Sequence, residues 1–351
     1  MDEVQTESIV TKGFLFKYDL MLSSFPRWLT VLSLGFCGLI RDTQWIIKLP
    51  YCPMASKFID SQSIRYMIHN AVYFSRFAIA MFALDWTAFA EYTKQLSQME
   101  LESDEKSVKQ IKRERRIKNW FFVVSLISYP MIANGCFLIL ELNVGIYYIF
   151  SLIIDSAYIG AHFFLIYLII DLSICLKAAF QYINHHLAHF KITSPNSMLS
   201  ELRRNRIMYS CAVRSSQEAE KFARHYIALF YSQFILFNIN NIVDLLGQKR
   251  ETSLAFILFM ALDIITAGYL TLNLVAVNKV STEGMEDLYE ISYDLKSYNL
   301  QNENNLFLNR MLWHNVGFTV SNLFLINPNF ITALLSFALT IALTMANYLY
   351  K

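Results

Sequence analysis

The stretch that decides the fold is ALTIALTMANYLYK, residues 338–351. It is apolar enough to sit in hydrocarbon, yet it carries Thr340, Thr344 and Asn347 at steps of four and three. At about 100° per residue those side chains fall within about 60° of one another on a helix. Thr332 and Ser336 extend the stripe backward at the same four-residue step, while Leu335, Phe337, Leu339, Ile341 and Leu343 occupy other faces. Such a stripe asks for something polar to meet it. A water-filled axis, a neighbouring helix or the helix's own i−4 carbonyls would each serve.

The rest of the chain belongs to the same solvent. Of its 351 residues 55% are hydrophobic, 15% aromatic and only 17% charged, which is too apolar for an ordinary soluble domain. The opening MDEVQTES is acidic and polar, so it lacks the basic start of a cleaved signal, and the first span is expected to do the targeting itself. The five cysteines are scattered singly, with no zinc-type or CxxC spacing, so neither a metal site nor a cofactor is expected. A net charge of +2 gives no sign of a nucleic-acid partner.

A bilayer core of about 30 Å needs roughly 20 apolar residues in a helix. The sequence offers them at about 66–90, 119–141, 145–170, 226–247, 254–277 and 329–350, with a further span at about 21–40 that contains Pro26 and Arg27. Short cytoplasmic loops hold the excess of Lys and Arg. With seven spans and a cytoplasmic N-terminus, 22 basic residues fall inside and 7 outside, with Arg76 within a span. The expected fold is therefore an all-α membrane protein of seven spans, N-terminus cytoplasmic and C-terminus extracellular. That orientation is opposite to a G-protein-coupled receptor. In this division residues 1–20 form a cytoplasmic tail and 21–277 a six-helix bundle whose 171–225 loop lies inside. Residues 278–327 form a cytoplasmic segment and 328–351 the last helix.

Between the fourth and fifth spans, DLSICLKAAFQYINHHLAHFKI and LSELRRNRIMYSCAVRSSQEAEKFARHY keep helical spacing while becoming charged, so the spans are expected to continue beyond the membrane. The segment 302–326 has the same amphipathic look before Asn327 and Pro328, where the proline should break or kink the helix. KQIKRERRIK at 109–118 reads as a positive-inside anchor. His185, His186 and His189 read as a solvated helix face, since no carboxylate or cysteine nearby completes a metal set.

Charges inside spans cost about 2.5–3.5 kcal/mol each on insertion scales, which makes them candidate functional groups. Arg76, Asp155 and Asp263 fall at nearly one depth, where opposite charges can pair. Around that level lie Tyr73, Phe77, Tyr148, Tyr158, Phe237, Asn238, Asn241 and Phe259. Aromatic walls with a few polar anchors suit a small organic ligand. The same layer could instead be a salt-bridged core that fixes helix order. Cys52 and Cys136 could form an outer disulfide or remain free thiols. A transporter using the three charges is a second reading, opposed by the lack of an internal repeat. No nucleophile, base and orienter can be placed together, so an enzyme is not expected.

In its C-terminal third the chain resembles the insect gustatory receptors, within the insect chemoreceptor superfamily. That family's last span has Thr-Tyr, five hydrophobic residues and Gln-Phe. Here the matching stretch is Thr340-Ile341, Ala342 to Ala346, and Asn347-Tyr348, so Thr340 matches, Asn347 and Tyr348 are replacements, and Ile341 departs. The preceding SNLFLINPNFITALL is similar to the family's approach to that helix. The resemblance implies a homo- or heterotetrameric ligand-gated cation channel in the plasma membrane, without a G protein, whose ligand is a small-molecule tastant. It implies that four last helices line one pore through Ser336, Thr340, Thr344 and Asn347, with Asn347 and Tyr348 at the gate. The cytosolic helices would then anchor the tetramer.

Overall fold

The computed structural model describes residues 29–30, 32–37, 71, 74–99, 101–140, 146–190, 195–246, 254–313 and 316–349. Helices dominate. They are α1 (Trp86–Ser97), α2 (Glu105–Leu140), α3 (Ile146–Ala188), α4 (Pro195–Leu246), α5 (Leu254–Glu283), α6 (Met285–Asp294), α7 (Tyr298–Leu312) and α8 (Pro328–Leu349). Between α7 and α8 runs a two-stranded hairpin of β1 (Thr319–Val320) and β2 (Phe324–Leu325). Two π-helical turns, Ser33–Cys37 and Ile79–Ala83, precede α1. Of the expected first span, only the neighbourhood of Ser33–Cys37 lies within the described residues.

The helices do run on past their apolar stretches. Helix α3 has 43 residues and α4 has 52, which at about 1.5 Å per residue make rods of about 65 and 78 Å. Among the described residues, Ser156–Ala188 and Met260–Asp294 contain windows long and apolar enough to cross a membrane. Each long helix thus has an apolar half and a charged half, and the hydrophobic core runs through both. In the charged half the rings of Phe180, Tyr209 and Phe307 tie α3, α4 and α7 together, with centroids 5.6 and 5.5 Å apart. Nearer the apolar half, Trp86 and Phe89 of α1 close on Phe222 of α4 at 5.1 and 5.2 Å.

Polar contacts add direction to this packing. Asp171 of α3 is buried between two cations of α2: Arg115 donates to both carboxylate oxygens at 3.0 and 2.9 Å, and Lys118 reaches Oδ1. Lys118 also lies 3.6 Å from the Tyr167 ring centroid. Farther down, Lys177 meets Glu114 at 2.7 Å, and Arg206 of α4 meets Glu303 of α7 at 2.5 Å. Helices α2 and α3 are therefore registered by charge as well as by apolar packing.

Three expectations change here. The apolar segment 66–90 is not one helix, because the chain is extended at Leu84 and α1 begins afresh behind Asp85. The Asp85 carboxylate accepts from the Thr87 and Ala88 amides at 3.0 and 3.1 Å and so caps the new helix. Helical periodicity over 302–326 also fails past Leu312. The hairpin turns through Ser321 and Asn322, both at positive φ, and Gly317 sits at φ +124°. Asparagine and glycine tolerate that backbone and helical residues do not, so local turn chemistry overrides the pattern. Third, Pro328 does not kink a helix but opens one, as the first residue of α8, where its missing N–H costs nothing. Asn327 caps it by accepting from the Phe330 amide at 3.1 Å.

Candidate functional site

Two features carry the functional expectations: a buried polar layer in the apolar half and the stripe on α8. In the layer, Arg76 is 6% exposed, and its guanidinium donates to the Tyr158 hydroxyl of α3 at 3.2 Å and to the Gln233 amide oxygen of α4. The same guanidinium lies 5.6 Å from the Tyr158 ring centroid. Arg76 thus joins three segments at one point. Asp263 of α5 sits within electrostatic reach of it, but accepts its hydrogen bond from Tyr129 of α2 at 2.5 Å. The two charges share a level without forming a direct pair among the described contacts.

A third group in the layer is aromatic. His162 of α3 meets the Tyr226 hydroxyl at 2.5 Å through Nδ1, stacks on Phe230 of α4 and lies edge-on to Phe163. On α4 a turn farther, Tyr231 shares a 2.7 Å hydrogen bond with Thr271 of α5 and sets its ring against Phe330 of α8 at 5.1 Å. The hydroxyls of Tyr129, Tyr158, Tyr226 and Tyr231 each find a partner on another segment, as a low-dielectric interior demands.

Of the sequence candidates, the structure brings Arg76 and Tyr158 into contact, places Asp263 nearby, and packs Phe77 on the core. Phe237 lies half-buried on α4. Tyr73 lies outside the described residues, as do the side chains of Tyr148, Asp155, Asn238, Asn241 and Phe259. Gln233, Tyr129, His162 and Tyr226 were missed. A neutral amide, a lone histidine and tyrosines among 20 carry no signal in composition.

On α8, Ser336, Thr340, Thr344 and Asn347 are all exposed, and so are Leu335, Phe337, Leu339 and Leu343 on other faces. The helix is held mainly by its first turns, where Phe330, Ile331 and Leu334 meet the core. Thr340 donates to the Ser336 carbonyl at 2.7 Å and Thr344 to the Thr340 carbonyl at 2.8 Å. The hydroxyl protons are thereby satisfied within the helix, while the oxygens keep lone pairs facing outward. The Tyr348 side chain lies outside the described residues.

At the other end, His185 stacks on His189 with ring centroids 4.2 Å apart and faces Lys106 at 2.7 Å. Among the described residues no group of three or more His, Cys, Asp or Glu is placed to hold a metal. Cys175 is buried and Cys211 half-buried, neither in a disulfide, and Cys52 and the Cys136 side chain lie outside the described residues.

This arrangement is a bundle of long helices with a buried polar layer, a charged helical base, and a final helix packed on its own chain only at its first turns. Among solved structures it matches the insect olfactory receptor OR5 from Machilis hrabei in complex with eugenol, with a TM-score of 0.65 over 90% of this chain and 88% of that one, at 11% identity. A second structure of the same receptor matches with a TM-score of 0.56, over 90% of this chain and 87% of that one, at 12% identity. The chain shares the all-α fold of these receptors. No family model and no curated protein matches the sequence.

Proposed function

We propose that the chain is a chemosensory receptor of the gustatory type, acting as a ligand-gated cation channel in the plasma membrane. Four copies surround one axis, each contributing α8. Ser336, Thr340, Thr344 and Asn347 face the lumen, where hydroxyl and amide oxygens replace part of an ion's hydration shell. Asn347 and Tyr348 form the gate near the outer mouth. A small organic ligand enters the layer around Arg76, Tyr158 and Asp263, and the charged half, lying in the cytosol, anchors the tetramer.

One observation carries this reading most. Among its described side chains helix α8 is exposed on almost every face, with a polar stripe on one side and leucines on the others. An apolar helix that its own chain leaves uncovered needs lipid on one side and something else on the other. The fold shared over 90% of the chain with an olfactory receptor, itself solved with eugenol, supports a small organic ligand for the bundle. Arg76 is a natural anchor, since a buried guanidinium with aromatic neighbours can accept a ligand oxygen or ring in place of Tyr158 or Gln233.

The test is electrical. Cells expressing only this chain should pass cation currents when given members of a panel of sugars and bitter compounds, in steps of fixed single-channel amplitude. Smooth, saturating uptake without steps would favour a transporter. An N-terminal tag found accessible on intact cells would remove the orientation.

A further inference from the structure

Two cavities of the charged half differ in their linings. The smaller, about 350 Å³, lies between α4 and the hairpin, where Glu218 and Glu220 balance Lys221 and Arg224. Its charges are spoken for: Lys221 pairs with Glu218 at 2.7 Å, and Glu220 takes the Thr319 hydroxyl at 2.5 Å. The larger, about 530 Å³, lies between the end of α1 and the start of α4. Asn196, Ser200, Arg203 and Arg204 line it, and among the described residues no carboxylate does. Arg206, on the same helix, is bonded to Glu303, whereas Arg203 and Arg204 have no ion pair among the described residues.

The wall beside the two arginines is apolar. Ile207 is 54% exposed, next to Met208 in the same lining. A cavity with two unpaired guanidiniums, short polar side chains and a bare aliphatic wall is complementary to one kind of molecule. We propose that it binds an organic phosphate, with the phosphate between Arg203 and Arg204 and the organic body on Ile207 and Met208. A phosphate monoester carries about −1.5 to −2 charge near pH 7, which matches two guanidiniums, whereas a carboxylate would satisfy one. Guanidinium forks take phosphate oxygens in pairs, and the Asn196 amide supplies a further donor. The volume lies within the range of about 300–1,000 Å³ typical of small-molecule sites and exceeds what a bare phosphate fills.

The chemistry alone would fit a soluble metabolite or a lipid headgroup, and position separates them. Along α4, Met208 precedes Tyr226, the start of the fifth apolar stretch, by 18 residues, or about 27 Å. Headgroups do not reach so far from the hydrocarbon edge. The occupant is a soluble phosphate ester. Only this choice of source rests on the orientation proposed above.

The experiment uses the full chain in neutral phosphatidylcholine nanodiscs, with AMP, adenosine and inorganic phosphate as probes in equilibrium dialysis. AMP should bind saturably, with adenosine and inorganic phosphate each weaker by about tenfold or more. The double variant Arg203→Ala/Arg204→Ala should lose about tenfold or more in AMP affinity, and raised salt should weaken what remains. Ile207→Asn should weaken AMP while leaving inorganic phosphate unchanged, a split that misfolding would not produce. No saturable AMP binding, or equal binding by wild type and the double variant, overturns the site. Displacement of AMP by a phosphoinositide built into the nanodisc assigns the cavity to a headgroup and overturns the soluble source. Binding without ligand-evoked currents would leave this site standing and remove the channel reading; currents without arginine-dependent binding would do the reverse.

Discussion

Helices α3 and α8 are both rich in Leu, Ile, Ala and Phe, yet the chain treats them in opposite ways. Leu168, Leu172, Cys175 and Leu176 of α3 have no accessible surface, because α2, α4 and α5 pack around it. On α8, Leu335, Phe337, Leu339 and Leu343 remain 49–62% exposed. The difference teaches that apolar composition sets the solvent a helix tolerates, not the neighbours it meets. Helix α3 finds its neighbours within the chain and is the post around which the fold is built. Helix α8 finds them only in its first turns and leaves the remainder for lipid and, in the proposed assembly, for other copies.

That contrast can be broken most severely at the post. Replacing Asp171 by Ala would strand Arg115 and Lys118 against a buried wall, and removing one member of a buried ion cluster typically costs about 3–5 kcal/mol. Asp171→Ala should therefore abolish accumulation of folded protein or lower its melting temperature sharply in nanodiscs. A loss under about 1 kcal/mol would show that α2 and α3 are not registered by this cluster. Phe307→Ala, in the fully buried ring stack with Tyr209, should cost about 3–5 kcal/mol in the same assay, whereas Phe337→Ala on exposed α8 should stay within about 0.5 kcal/mol. Equal costs at the two phenylalanines would mean that α8 is packed after all.

Smaller changes sharpen the comparison. Asn327→Ala removes the cap of α8 and should cost about 1 kcal/mol, read as a lower melting temperature with no change in the base. Asn347→Ala should leave folding and surface expression intact but change gating or ion selectivity in patch recordings; unchanged currents would count against the gate assignment. The smallest effect expected is at Asp104, before α2. Partial burial pushes its carboxyl up, but bonds from the Ser107 hydroxyl and amide at 2.6 and 2.9 Å outweigh that and hold it below the ordinary value of 3.8. A depressed folded-state value means stability present above the unfolded value and lost as pH falls through the folded one. Asp104→Asn should flatten the melting temperature's fall below about pH 4 slightly, and an unchanged acid profile would show that the bond carries no linkage.

Much of this molecule was legible in its sequence. The run-on of the fourth and fifth apolar stretches into charged helices was readable because amphipathic period persists after the composition changes, and α3 and α4 keep it across the boundary. The shared level of Arg76 and Asp263 was readable from rise per residue alone. Their partners were not, since Gln233 and Tyr129 come from helices whose rotation only packing sets. The hairpin before α8 escaped for a different reason: Ser321 and Asn322 take positive φ in a turn closed by the Leu323 amide on the Val320 carbonyl at 3.0 Å, held to α4 by Gly317 on Ser216 at 3.2 Å. Two strands of two residues leave no period to read.

By itself, then, the sequence determined the apolar or charged character of each segment, the existence and approximate length of the long helices, and the polar stripe on the last one, because these depend on local composition and the fixed pitch of a helix. Tertiary structure alone decided which faces are covered. Burial is a pairwise property, settled by what packs across a gap of 8–10 Å or so between helix axes, and no single segment carries that information about its neighbour.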